Sequence, residues 1–154
     1  MSDIKVVIFT LNDELCSVEA SLVHKIEKYS EVSLVPQLPD YIKGLFNLRG
    51  RVVPVIDLNK RFNMGDSEIT KKTKIIITEK DNQLIGFMVN NVLEIINLDE
   101  ESVDKSEAII KVNNKKYIKG IGKNNNKLFS IIDLNEILPT EEFEEVNEVL
   151  MNKV

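Results

Sequence analysis

YIKGLFNLRGRVVPVIDLNKRF, residues 41–62, reads without a gap onto YIKGIGKNNNKLFSIIDLNEIL, residues 117–138. Tyr-Ile-Lys-Gly and Ile-Asp-Leu-Asn are identical in both, at a constant shift of 76 residues. Upstream, ELCSVEASLVHKIE (14–27) matches QLIGFMVNNVLEII (83–96) at a shift of 69, which pairs Val23 with Val92 and Ile26 with Ile95. Val6-Val7-Ile8 likewise falls on Ile75-Ile76-Ile77. The chain is therefore one five-strand unit written twice, with an insertion between Leu98 and Tyr117 in the second copy.

Short apolar runs rich in Val and Ile recur about every 8–12 residues, separated by Asn, Asp, Gly and Lys. That spacing marks an all-β sandwich or barrel. Turn residues predict hairpins at Asn12-Asp13, Asp81-Asn82, Asn113-Asn114 and Asn124–Asn126. Pro54 lies inside a run and points to an edge strand or a bulge. Two copies are too few for a solenoid. The pattern predicts two pseudo-symmetric five-stranded β-barrels packed together. Lobe one is expected over about 12–72 and lobe two over about 73–138, with strand 4–11 free to pack with either. A unit of about 65–70 residues is marginal alone. Strands that are apolar on both faces imply that the barrels bury surface against each other or against a partner. A C-terminal helix is expected over about 140–152, capped by Thr140, with Phe143, Val146, Leu150 and Val154 on one face.

The chain of 154 residues is 43% hydrophobic and 29% charged, a globular composition. A net charge of −5 argues against a general phosphate or nucleic-acid binder. Aromatic residues make up only 6%, with no Trp, so the stacking surface of an RNA-binding barrel is missing. The single cysteine, Cys16, excludes an internal disulfide and suits a reducing, cytoplasmic compartment. The N-terminal apolar run is far shorter than a membrane span needs.

Asp57 and Asp133, one per copy, suggest an aspartic dyad. Each is followed by Leu-Asn instead of the small turn that presents such carboxylates. Asp133-Leu-Asn-Glu136 reads as a capping box, and Asp57 opens the matching turn. His24 is the only histidine and has no evident nucleophile or metal-ligand partner in the spacing. Asp99–Asp104 resembles a calcium loop in charge but lacks its central glycine. No cofactor or metal is expected. Between the copies, Arg51 matches Lys127, whereas Arg49 matches the neutral Asn125. An arginine that the second copy does without is a candidate for function.

FNLRGRVVPVIDLNKRF, preceded by PQLPDYIKG, resembles the core motif of the CheW-like domain family, and GFMVNNVLEII with YIKGIGK…LFSIIDL resembles that domain's second lobe. The resemblance runs from Ile4 to Leu138. It implies SH3-like barrels and a non-enzymatic adaptor that couples chemoreceptor tips to the regulatory domain of the histidine kinase CheA, at receptor arrays near the membrane. An equivalent scaffold in a non-flagellar chemosensory pathway is the alternative. Carried over by position, the receptor-facing groove comprises Val23, Ile26, Gly44 and Arg49; Gly86, Val92 and Ile95 correspond to kinase-binding or coupling positions. The family places an acidic residue before the isoleucine, as in Glu94-Ile95, where unit one has Lys25-Ile26. Residues 25 and 27 of a strand share a face, so Glu27 is expected to pair with Arg49.

Overall fold

The computed structural model describes residues 3–34, 36–105 and 117–137. Its strands are β1 (Asp3–Leu11), β2 (Glu14–Glu19), β3 (Lys25–Lys28), β4 (Ile42–Leu48), β5 (Arg51–Asp57), β6 (Lys74–Lys80), β7 (Gln83–Val89), β8 (Asn91–Asp99), β9 (Val103–Asp104), β10 (Ile118–Asn124) and β11 (Lys127–Ile132). One helical turn, α1 (Leu58–Arg61), follows β5. The helix expected over 140–152, the turn at Asn113-Asn114 and most of the insertion lie outside the described residues. The other predicted hairpins form. Positive φ at Asn12, at Asp81 and Asn82, and at Asn125 and Asn126 supplies the backbone that two-residue turns require.

The strands make a six-stranded sheet, β8-β1-β2-β11-β10-β9, and a five-stranded sheet, β3-β6-β7-β5-β4. The described residues are mostly β with little helix, but the barrels are not closed: among them no ladder joins β8 to β9 or β3 to β4. Sheet membership also cuts across the lobe division expected at 72/73. The β6–β7 hairpin, from the second copy, pairs with β3–β5. The β1–β2 hairpin, from the first, pairs with β8 and β11. Each copy thus hands its first hairpin to the other. Once the exchange is made the sheets are topological twins, each holding one parallel pair, β2 with β11 and β7 with β5. The twinning extends to irregularities. A bulge between Ile42 and Gly44 matches one between Ile118 and Gly120. The bridge from Ser33 to Leu45 matches that from Asp104 to Ile121.

The exchange explains why the central strands are apolar on both faces. Alternate residues of one strand enter different cores. Val7 and Phe9 join Ile56, Ile76 and Phe87 in a central core between the sheets. Val6 and Ile8 turn instead to the six-stranded sheet's own core, with Phe129 and Ile131. Val53, Val55, Ile75 and Ile77 fill the corresponding core of the five-stranded sheet. Pro54 sits in an interior strand, not at an edge. Leu45, opposite it, exchanges both backbone bonds with Ser33 at 2.8 Å, so Pro54 occupies a site that needs no donor toward β4. Its other side precedes the β5–β7 ladder, which begins at Val55.

Candidate protein-interaction surfaces

Arg49 and Gly50 form the β4–β5 turn with φ of 51° and 88°. Both values lie in the left-handed region that glycine and asparagine tolerate and other residues avoid. The matching β10–β11 turn uses Asn125 and Asn126 at 50° and 64°. Arg49 thus holds a strained backbone position that Asn fills easily in the other copy. Its side chain is exposed and makes no hydrogen bond or ion pair among the described residues. Arg49→Asn is expected to raise stability by about 1 kcal/mol, relieving the strain, while weakening partner binding. Unchanged binding in a titration, with the melting temperature raised, would remove Arg49 from the functional surface.

The expected Glu27–Arg49 pair does not form. Glu27 instead lies 3.2 Å from Lys25, the residue that stands where Glu27 was expected to make good a missing carboxylate. Sheet register supplies the reason. Glu27 sits opposite Ile75 at the start of β6, whereas Arg51, beside the Arg49 turn, reaches the carbonyl of Asn82 beyond its end. About six residues of strand, roughly 20 Å, separate the two rows.

Of the other positions, Val23, Ile26 and Val92 are half-buried against the central core. Ile95, the counterpart of Ile26, is 56% exposed on edge strand β8. Leu93, 49% exposed and not singled out by the sequence, lies on the opposite face of β8, beside Ile8 and Glu94, whereas Ile95 pairs with Val7 on the central-core face. Ile8 pairs with Glu94 and Phe9 with Val92, so Leu93 is the extra residue of a β-bulge. The available signal was an apolar residue where the other copy carries His24. Gly44 and Gly86 are buried and face protein. A Cβ on Gly44 would stand 2.5 Å from the Ser33 carbonyl oxygen, and one on Gly86 would stand 2.7 Å from Ile75 Cγ2. Gly86 moreover lies in the five-stranded sheet, apart from Val92 and Ile95 on β8.

The polar candidates have structural work. Asp57 Oδ1 accepts from the backbone of Asn59 at 3.0 Å and Lys60 at 3.4 Å, and from Ser67 Oγ at 3.1 Å. Asp133 accepts from Asn135 N at 3.0 Å. Its own N–H donates to the Tyr117 carbonyl at 2.7 Å, so the reciprocal half of a capping box is not made. His24 Nδ1 lies 3.7 Å from Glu79 Oε2, an acidic neighbour the spacing did not reveal. Burial, reinforced by Glu14, pushes the Cys16 thiol up to about 12, which keeps it protonated and poorly nucleophilic. Among the described residues no group of three or more acidic, His or Cys side chains is placed to hold a metal, and no helix is long and apolar enough to cross a membrane.

A duplicated β protein with an exposed apolar edge strand and a cationic hairpin tip belongs to the class of protein-binding modules. The sequence profile of the CheW-like domain matches residues 5–142, and the chain belongs to that family. It is accordingly a non-enzymatic adaptor of chemotaxis signalling. Chemotaxis protein CheW of Bacillus subtilis (strain 168) is 34% identical over 137 residues, covering 89% of this chain and 88% of that protein. Its namesake in Helicobacter pylori is 32% identical over 131 residues, covering 84% and 78%. The crystal structure of scaffolding protein TtCheW from Thermoanaerobacter tengcongensis matches with a TM-score of 0.78 at 32% identity over 92% of each chain.

Proposed function

We propose that this chain couples the cytoplasmic tips of methyl-accepting chemoreceptors to the regulatory domain of the histidine kinase CheA, acting in the cytoplasm at receptor arrays. The observation that carries the reading is divergence between twin sheets. The same fold presents Arg49 at the hairpin tip of one sheet, where the other has Asn125, and exposed Leu93 and Ile95 on the edge strand of the other, where the first has His24 and a half-buried Ile26. Each sheet is read as an SH3-like barrel left open at one seam. Val23, Ile26 and Arg49 serve the receptor, with Gly44 shaping the sheet behind them. Val92 and Ile95 serve the kinase, and Gly86 acts through packing.

Ile95→Asp tests the division. A carboxylate at a contact that becomes buried is left desolvated and unpaired, so binding to the kinase regulatory domain is expected to weaken about tenfold or more. Binding to a receptor-tip fragment should stay within twofold. Equal losses toward both partners, with the variant folded, would overturn the separation of surfaces.

A further inference from the structure

The two sheets differ in how their own cores are sealed. In the five-stranded sheet Phe46 faces Val53 across the β4–β5 hairpin. In the six-stranded sheet the matching pair is Gly122 and Phe129. Large and small have changed places, and Phe129 occupies the space beside Gly122 so closely that a Cβ there would overlap its ring. That swap is compensated. The next one is not. Leu48 packs against the core of the five-stranded sheet, a core that includes Leu84, only 2% exposed. Its counterpart at the end of β10 is Asn124, and Leu15, the counterpart of Leu84, is left half-buried. The result is a cleft of about 300 Å³ with Ile8, Leu15 and Phe129 at its floor. Leu93 and Glu94 form one rim, and Asn124 and Lys127 the other.

We infer that this cleft is a receiving site for one leucine-sized aliphatic side chain supplied by the kinase surface that packs along the edge strand β8. The inference rests on assigning the kinase to β8. Leu48 shows what the site takes, because the twin sheet fills the same place with a leucine of its own. The volume, at the lower end of ligand-sized cavities of ~300–1,000 Å³, leaves ample room for a leucine side chain. The rim carries one charge of each sign, Glu94 and Lys127, so it offers no net field for an ionic ligand. The floor is apolar, and displacing water from it favours an aliphatic group.

Asn124→Leu, which restores the plug of the twin sheet, tests the inference against the isolated CheA regulatory domain. Kinase affinity is expected to fall at least tenfold while receptor-tip binding is kept. In the unaltered protein the methyl resonances of Leu15 and Leu93 should shift on adding the kinase domain. If Asn124→Leu does not fold, Leu15→Phe fills the cleft from its floor and is held to the same result. Wild-type kinase affinity in the folded, plugged variant, or unmoved Leu15 methyls, overturns the inference. Should Ile95→Asp still weaken kinase binding in that case, the kinase assignment stands and only the cleft is wrong. If neither substitution matters, both fall together.

Discussion

Asp57→Ala is expected to cost about 3–4 kcal/mol, against about 1 kcal/mol for Asp133→Ala, although the two aspartates hold matching places in the repeat. A lost N-cap alone is worth roughly 0.5–2 kcal/mol, and at Asp133, half-buried and serving one N–H, that is the whole effect. Asp57 is 2% exposed, and its carboxylate oxygen satisfies two backbone N–H groups and the Ser67 hydroxyl. Each buried donor left without a partner costs about 1–3 kcal/mol. The loss spreads further. Asn59, fully buried, donates to Ser67 Oγ at 2.6 Å and to Asn90 Oδ1 at 2.8 Å. Asn90 Oδ1 also accepts from Asn12 N at 2.7 Å, and Asn12 Nδ2 donates to the Met64 carbonyl at 2.9 Å. The network runs from β5 of one sheet to the β1–β2 turn of the other. Asn59 Oδ1 has no hydrogen-bond partner among the described residues. Urea denaturation of both variants, with a melting temperature lowered by roughly 10 °C for Asp57→Ala, is the expected pattern. Equal losses would reduce Asp57 to an ordinary cap.

The repeat was legible in the residues because matching strands keep matching irregularities. Tyr-Ile-Lys-Gly recurs because both copies need a bulge just before the glycine, and Ile-Asp-Leu-Asn because both strands end in a capped turn. The hairpin exchange was not legible. Val6-Val7-Ile8 and Ile75-Ile76-Ile77 are apolar on both faces, so either copy's hairpin satisfies either sheet, and burial pattern alone cannot choose. The same gap explains the Glu27–Arg49 expectation. That residues 25 and 27 share a face was sound local geometry, and their 3.2 Å contact shows it. Whether Glu27 meets Arg49 depended on register between strands distant in sequence. The backbone of Arg49, by contrast, was readable: a residue matched to Asn125 and followed by Gly50 sits where a type I′ turn demands positive φ. Leu93 and the open cleft beside Asn124 emerge only when the twin sheets are compared position by position.

Gly44→Ala is expected to cost about 3–4 kcal/mol and to leave the affinity of the folded fraction unchanged. Gly44 is buried at the bulge of β4, with a φ of +155°, a conformation that L side chains rarely adopt. An added Cβ would lie 2.5 Å from the Ser33 carbonyl oxygen and 2.9 Å from Val32 Cγ2. The first contact is with backbone, which cannot rotate away as a side chain does. Relief would require breaking the Ser33–Leu45 bridge, bonded in both directions at 2.8 Å, and displacing Val32 from the core of the five-stranded sheet. Overpacking of this kind costs about 1–3 kcal/mol, and the strained backbone adds about 1 more. Gly120→Ala provides the internal control. There the nearest backbone atom, the Asp104 carbonyl oxygen, is 2.8 Å away and φ lies outside the left-handed region, so about 1–2 kcal/mol is expected. Receptor-tip titrations below the melting temperature of each variant separate fold from contact. Affinity per folded molecule equal to that of the unaltered protein would assign Gly44 to shaping the sheet beneath the surface. A normal melting temperature with binding lost would instead place the Gly44 backbone in the interface itself.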